Sequence, residues 1–143
     1  MTEIDFAFGA PDRLRTACQV ALKRVQAGQK LVVYCRDTNR LSQFDRLLWA
    51  FDDLAFVPHV AVDDPLASQT PVVLTSSDAE TPHHEWLLNL DDSWPPIYTR
   101  FRRVIEIVSN DASEREAARA RWRFYQECGH QIVKHDLATQ DLP

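Results

Sequence analysis

The sequence predicts a single-domain α/β protein, with helices in a three-layer arrangement around a sheet that has a substantial parallel component. Short apolar segments of strand length alternate with longer segments whose apolar residues recur at steps of three and four. The chain has 143 residues, 45% of them hydrophobic and 26% charged, values ordinary for one compact domain. Its three glycines lie far apart, so neither a G-x-G-x-x-G turn nor a phosphate-binding P-loop can form. We therefore expect residues 1–143 to fold as one α/β domain without a glycine-rich nucleotide loop.

The first part of the chain predicts two strand–helix units. In order, these are a strand at Glu3–Phe8, a helix from Pro11 to Gly28, a strand at Lys30–Cys35 and a helix from Thr38 or Asn39 to Phe51. Alternating apolar residues indicate the first strand, and a continuous apolar run too short for a helix indicates the second. A proline near the start and a glycine at the end are typical of the first helix. Thr38 or Asn39 can cap the second helix.

After residue 53 the pattern changes to short strands with prolines between them. Three strands are predicted at Phe56–Val62, Pro71–Thr75 and Trp86–Leu90, separated by loops at Asp63–Gln69 and Ser76–His84. The remaining predicted elements are a short helix from Pro95 to about Arg102, a strand at Arg103–Val108, a long helix from Asn110 or Asp111 to Gly129, and a strand at Gln131–His135. Strands that alternate with helices in this way favour parallel pairing.

Charge and cysteine usage narrow the class of protein. A net charge of −5 is a poor general match for a DNA backbone. Cys18, Cys35 and Cys128 form no C-x-x-C pair and lie in apolar runs, so we interpret them as reduced core residues rather than as a catalytic thiol. No apolar run approaches the roughly 18 residues of a membrane span, and the N-terminus lacks a signal-peptide pattern. We expect a soluble cytoplasmic protein.

A small α/β enzyme that uses a loop histidine or carboxylate is one alternative function. His83, His84 and Glu85 are adjacent, yet zinc sites usually draw on spaced pairs of ligands, so a solvated loop is the favoured interpretation. The acidic pairs Asp63-Asp64 and Asp91-Asp92 are more typical of turns than of magnesium sites. No G-x-S-x-G segment is present. The sequence therefore offers no metal site and no convergent acid–base set.

The last long helix carries the most informative side chains. Arg115, Arg119, Trp122 and Arg123 recur at steps of four, three and one along one side, whereas Arg121 lies on another side. Guanidinium groups beside an indole suit a short acidic peptide with an aromatic anchor. The same arginines leave direct binding of single-stranded nucleic acid as an alternative. A further alternative is a solvated helix in which they pair with neighbouring glutamates, namely Glu114, Glu116 and Glu127.

Trp49 is a second, weaker candidate for a contact residue. The segment Leu47–Phe51 has more large apolar side chains than one helical stripe can bury. The excess indicates either a subunit contact that includes Trp49 or a well-filled core.

A set of segments, taken in order, resembles the chi subunit of the bacterial DNA polymerase III holoenzyme. The segments are AGQK at Ala27–Lys30 followed by LVVYC, FDRLLWAF at Phe44–Phe51, FVPH at Phe56–His59, PVVLT at Pro71–Thr75, LLNL at Leu87–Leu90, RFRRVIEIV at Arg100–Val108 and ARARWRFYQECG at Ala118–Gly129. Each is weak alone, but together they cover nearly the whole chain in the order of the family.

The resemblance implies a Rossmann-like layout and an accessory subunit with no catalysis and no cofactor of its own. Such a subunit pairs with the psi subunit, which tethers it to the clamp loader. It also binds the acidic C-terminal tail of the single-stranded-DNA-binding protein during DNA replication. It reaches DNA indirectly, has no membrane contact, and is cytoplasmic, with association to the nucleoid through the replisome.

The resemblance also assigns residues to these contacts. The tail-binding surface of the family falls on Val108, Arg115, Arg119, Trp122 and Arg123. Arg119 corresponds to the arginine expected to matter most, and the family commonly has tyrosine at the position of Trp122. Trp49 and Phe56 are assigned to a possible contact with psi or another protein.

Overall fold

The structure is a computed structural model that describes residues 2–143. Within that range lie seven strands: β1 (Glu3–Ala10), β2 (Leu31–Tyr34), β3 (His59–Ala61), β4 (Val72–Thr75), β5 (Trp86–Asn89), β6 (Arg103–Ser109) and β7 (Ile132–Asp136). The same range holds three α-helices: α1 (Arg13–Gln26), α2 (Thr38–Ala50) and α3 (Ala112–Glu127). Two 3-10 turns, Ala67–Gln69 and Tyr98–Arg100, complete the elements of the described chain. None of these helices is long and apolar enough to cross a membrane.

All seven strands form one parallel sheet in the order β3-β4-β2-β5-β6-β1-β7. The α/β prediction is confirmed, and the parallel component extends to every strand pair of the described sheet. Helices α1 and α2 connect strands in one direction across the sheet, whereas α3 connects β6 to β7 in the opposite direction. Because such crossovers are right-handed, the reversal places α3 on the opposite face from α1 and α2.

The core consists of two clusters, one on each face of the sheet. On the first face, strand residues such as Val33 and Ile105 pack with Phe44 of α2 and with the small residues of α1. On the second face, Phe6 and other strand residues pack with Tyr125 of α3. Helices therefore cover both faces, which confirms the predicted three-layer arrangement.

The predicted strand at Phe56–Val62 is wrong over its first half. Strand β3 contains only His59–Ala61 and pairs with a single neighbour, β4, at the edge of the sheet. Pro58 has no N–H to donate to a sheet ladder, so pairing begins only after it.

The predicted short helix from Pro95 to Arg102 is also wrong in extent. Only Tyr98–Arg100 is helical, as a single 3-10 turn. Pro96 disfavours the helical backbone conformation for Pro95 before it, and Phe101 returns to an extended backbone before β6. In the predicted loop at Asp63–Gln69, the last three residues form a similar turn.

Cys128 is exposed, which corrects its assignment to the core, whereas Cys18 and Cys35 are buried as predicted. Cys128 lies at the C-terminal cap of α3, beyond the last turn that packs on the sheet. The cap of α2 also differs from the prediction. Asp37, rather than Thr38 or Asn39, accepts hydrogen bonds from the backbone at the helix start.

Gly28 and Gly129 end the first and last helices as predicted. Both have positive φ angles, +74° and +80°, which non-glycine residues adopt only with strain. The N–H of the residue after each glycine bonds back to a carbonyl five residues earlier, the pattern of a Schellman cap.

Candidate functional site

A groove of about 560 Å³ lies at the carboxyl ends of β1 and β6, against the side of α3. After these adjacent strands the chain leaves toward opposite faces of the sheet, to α1 and to α3. Open α/β sheets generally bind ligands at such a switch point. The residues that line the groove are Phe6, Phe8, Gly9, Val108, Ser109, Asn110, Arg115, Ala118, Arg119, Trp122, Arg123 and Gln126.

The floor of the groove is apolar and comes from the two strands. Phe8 and Val108 are opposite each other in the register of β1 and β6. The side chain of Val108 is buried, whereas Phe8 is 38% exposed and so is available for contact. A register shift between Phe8 and Ala10 then leaves Gly9 without a partner in β6, and Ala10 pairs with Ser109 beyond it.

Trp122 forms the apolar part of the wall. Its ring contacts the edge of Phe6 at a centroid distance of 5.0 Å, and the Lys134 ammonium lies 5.4 Å from the ring centroid. Phe6 and Lys134 are neighbours across β1 and β7. The two strands therefore fix the indole from below while it remains half-buried at the groove.

Three exposed arginines of α3, Arg115, Arg119 and Arg123, form the polar part of the wall. Arg119 pairs with Glu116 at 3.2 Å, but both side chains are solvent-exposed, so this ion pair is weak. Within residues 2–143, no carboxylate lines the groove. The site is thus locally cationic on a chain whose net charge is −5.

The structure brings all five residues of the expected tail-binding surface to this one groove: Val108, Arg115, Arg119, Trp122 and Arg123. Phe6, Phe8 and Gly9 also line the groove but were not predicted as site residues. Their alternation indicated a strand but not its neighbours in the sheet. The available signal was Gly9 itself, because a glycine that follows a strand pattern is typical of a bulge.

Arg121 points away from the groove, as predicted, and is buried between α3 and the sheet. Its Nε donates to the Glu106 carboxylate at 2.9 Å, and both side chains are almost fully buried. Tyr125 donates to the same carboxylate, and burial together with the charge of Glu106 raises the pKa of Tyr125 well above its usual range. A charged residue therefore supports the groove wall from behind.

Trp49 and Phe56 form a second exposed surface, the aromatic patch. Their side chains are 55% and 65% exposed, and their ring centroids are 5.5 Å apart. Trp49 also contacts the buried His59 ring at 4.5 Å, which anchors the patch to β3. Trp49 is therefore not part of a well-filled core.

The candidate catalytic groups do not converge. The described residues contain no group of three or more His, Cys, Asp or Glu side chains placed to hold a metal ion. Burial raises the pKa of Cys18 to about 12, which keeps this thiol protonated. Asp92 Oδ1 accepts a hydrogen bond from Arg40 Nη1 at 3.1 Å, and this hydrogen bond lowers the pKa of Asp92. Burial lowers the pKa of His83, with Lys30 contributing.

Comparison with known proteins identifies similar chains. The family model described as "DNA polymerase III chi subunit, HolC" matches residues 1–133, a span that contains every residue of the groove and of the aromatic patch. DNA polymerase III subunit chi of Pseudomonas aeruginosa is 33% identical over 141 residues, 96% of this chain and 98% of the relative. The subunit of Escherichia coli K12 is 25% identical over 80% of this chain and 79% of its own. That of Haemophilus influenzae is 25% identical over 75% of each.

Proposed function

The chain belongs to the DNA polymerase III chi subunit family, and from this premise we propose that it joins the polymerase assembly to coated single-stranded DNA. As a member of that family it is a replication subunit rather than an enzyme in its own right. In the proposal, it pairs with the psi subunit and binds the acidic C-terminal tail of the single-stranded-DNA-binding protein. The protein is then cytoplasmic and reaches the nucleoid through the replisome.

The observation that carries the tail-binding proposal is the composition of the groove. A cationic wall and an apolar floor lie side by side, and no carboxylate of the described chain lines the space between them. An acidic peptide that ends in an aromatic residue matches both parts. Its carboxylates suit the arginine forks, and its ring suits the apolar surface.

In the proposed mechanism, each part of the groove has a separate task. Arg119 and Arg123 receive tail carboxylates, and Arg119 exchanges its exposed partner Glu116 for the peptide. The aromatic side chain of the tail lies between Val108 of the floor and Trp122 of the wall. Exposed ion pairs contribute only about 0.2–1 kcal/mol each, so the arginines orient the tail and the apolar contact retains it.

Charge reversal at the centre of the wall tests the proposal. We expect Arg119→Glu to weaken the binding of an acidic peptide ending in phenylalanine by at least about tenfold, or about 1.4 kcal/mol. The new carboxylate repels the tail and removes a donor. Fluorescence anisotropy with a labelled peptide measures the affinity, and circular dichroism verifies the fold.

Arg46→Glu is the matched control, because it makes the same charge change at an exposed position of α2, outside the groove. It should leave the peptide affinity nearly unchanged. Equal losses in the two variants would mean that the peptide responds to net charge alone, and an unchanged affinity in Arg119→Glu would exclude the groove as the tail site.

The aromatic patch supports the second half of the proposal. Trp49 and Phe56 expose large rings side by side, and Leu54, two residues before Phe56 in the sequence, is almost fully exposed. Contiguous exposed aromatic surface is typical of protein–protein contacts. We therefore place the psi contact on this patch.

A further inference from the structure

The buried carboxylate of Glu106 is the centre of a polar cluster beneath α3. One oxygen accepts a hydrogen bond from Arg121 Nε at 2.9 Å. The other accepts from the Tyr125 hydroxyl at 2.7 Å and from the Asn89 amide at 2.9 Å. All four side chains are at most 1% exposed. The carboxylate is therefore fully partnered by groups from β5 and α3.

Arg121 extends the cluster to the loop after β5. Its Nη1 donates to the backbone carbonyl of Asp92 at 3.0 Å while its Nε bonds Glu106. One guanidinium thus ties α3 to a strand and to a loop at the same time. A planar donor with two fixed directions restrains both the rotation of a helix and its position along its axis.

The fully buried part of α3 is small. Only three residues of this helix are buried, and two of them, Arg121 and Tyr125, belong to the polar cluster; the third is Ala118. The methyl side chain of an alanine makes too few packing contacts to select one rotation of a helix over another. The polar contacts therefore add directional restraints on α3 to the packing of the half-buried Trp122 and Phe124, which lie against the same core cluster.

Replacement of a buried ion pair by apolar residues is often neutral or stabilising, so stability alone is a weak reason to keep one. The directional hydrogen bonds of a buried ion pair can instead select one arrangement of the elements that they join. On a helix of 3.6 residues per turn, the groove residues of α3 lie roughly 60–200° around the axis from Arg121. A change in the rotation of α3 would therefore move all of its groove side chains together.

We propose that Glu106, Arg121 and Tyr125 are positioning residues for the groove. They hold α3 in the one rotation that aims Arg119 and Trp122 at the tail. The expected change in peptide affinity rests on the proposed tail-binding function. The expected change in the rotation of α3 rests on the structure alone.

The double variant Glu106→Gln/Arg121→Met tests it, because it removes both charges while retaining similar side-chain lengths. We expect a folded protein whose affinity for the acidic peptide is lower by about tenfold. We also expect the indole N–H resonance of Trp122 to shift in the NMR spectrum of the free protein. Tyr125→Phe removes a single hydrogen bond and should change both readouts in the same direction, to a smaller extent.

Phe44→Leu is the control, because this residue packs on the opposite face of the sheet with α1 and α2. It should lower the melting temperature and leave the peptide affinity and the Trp122 resonance unchanged. An equal affinity loss in Phe44→Leu would show a general stability effect and would overturn the proposal.

A folded double variant that binds within about twofold of the unmodified protein, with an unmoved Trp122 resonance, would also overturn it. If the double variant does not fold, Tyr125→Phe decides by the same two readouts. If the unmodified protein does not bind the peptide, the tail-binding function fails, and the Trp122 resonance alone still decides whether the cluster positions α3.

Discussion

Trp122 and the arginines beside it respond differently to the solution around them. The indole contacts Phe6 at 5.0 Å and adds apolar surface to the groove. Arg123 is exposed, so its proposed interaction with a tail carboxylate is screened by salt. The balance between the two contributions therefore depends on ionic strength.

We expect single variants to separate the apolar contribution to peptide binding from the ionic one. Arg123→Ala should weaken peptide binding clearly at low salt and much less near 1 M, where the screening length falls to about 3 Å. Trp122→Ala should weaken binding at both salt concentrations, because apolar contact is not screened. Anisotropy titrations at the two salt concentrations measure the peptide affinity of each variant. An Arg123→Ala effect that does not decline with salt would contradict the assigned role of Arg123.

At the residue scale, groove side chains could be predicted from the sequence where residue type and spacing along one element define a shared surface. Arg115, Arg119 and Arg123 lie on one helix, so their shared side follows from the helical period. Glu106 was not recognised, because within a strand pattern nothing local shows that α3 will cover its side chain with an arginine. Cys128 was misplaced, because it follows a helical stripe that ends before it.

The N-terminus of α3 depends on Asp111. Its carboxylate accepts hydrogen bonds from the backbone N–H groups of Ser113 and Glu114 at 3.0 and 3.1 Å. The side-chain hydrogen bond from Ser113 and these backbone donors hold the pKa of Asp111 below its usual range. Asp12 and Asp37 cap α1 and α2 in the same way. The charged form of Asp111 is the one that the fold stabilises.

We expect Asp111→Ala to lower the melting temperature by roughly a few degrees at neutral pH, because the first turn of α3 loses its cap. A lowered folded-state pKa means that this contribution is present above the unfolded pKa, near 4, and is lost as pH falls through the folded pKa. The difference from the unmodified protein should therefore shrink as the pH falls below about 4.

Thermal unfolding followed by circular dichroism across this pH range measures the effect. Asp53→Ala, at an exposed position in a turn, serves as the control and should show no such pH-dependent difference. A difference for Asp111→Ala that is constant from pH 7 to pH 2 would mean that the charge of the cap is not involved.

At the element scale, the long helices and the buried strands could be predicted because their periodicity is repeated over many residues. β3 and the turn at Tyr98–Arg100 could not, because elements of three residues depend on tertiary contacts. The order of the strands also could not be predicted, since β1 pairs with strands about a hundred residues away. The single-domain interpretation of residues 1–143 stays a prediction.

The two proposed surfaces lie far apart on the whole molecule. The groove is beside β6 on the face covered by α3, and the aromatic patch is at β3, near the end of α2. Three strands separate β3 from β6, so these two strands are roughly 20 Å apart at about 4.8 Å per strand spacing. Sites separated in this way usually act independently.

We therefore expect the two partners to bind at the same time. Trp49→Ala/Phe56→Ala should abolish binding of purified psi and leave the affinity for the tail peptide within about twofold, whereas Arg119→Glu should do the reverse. Size-exclusion chromatography with psi and anisotropy with the peptide measure the two interactions. Competition between psi and the peptide would contradict the assignment of separate surfaces.

The pairing of β1 with β6 and β7 has a consequence for biosynthesis. β1 leaves the ribosome first, but its nearest partner begins 93 residues after it ends, at Arg103. At about 5–20 residues per second, the strand waits roughly 5–20 s for that partner, with its apolar side chains unpaired. The groove is completed only when α3 has also been translated. A nascent or prematurely terminated chain therefore lacks the proposed tail site, and we expect only chains translated through α3 to compete for the tail.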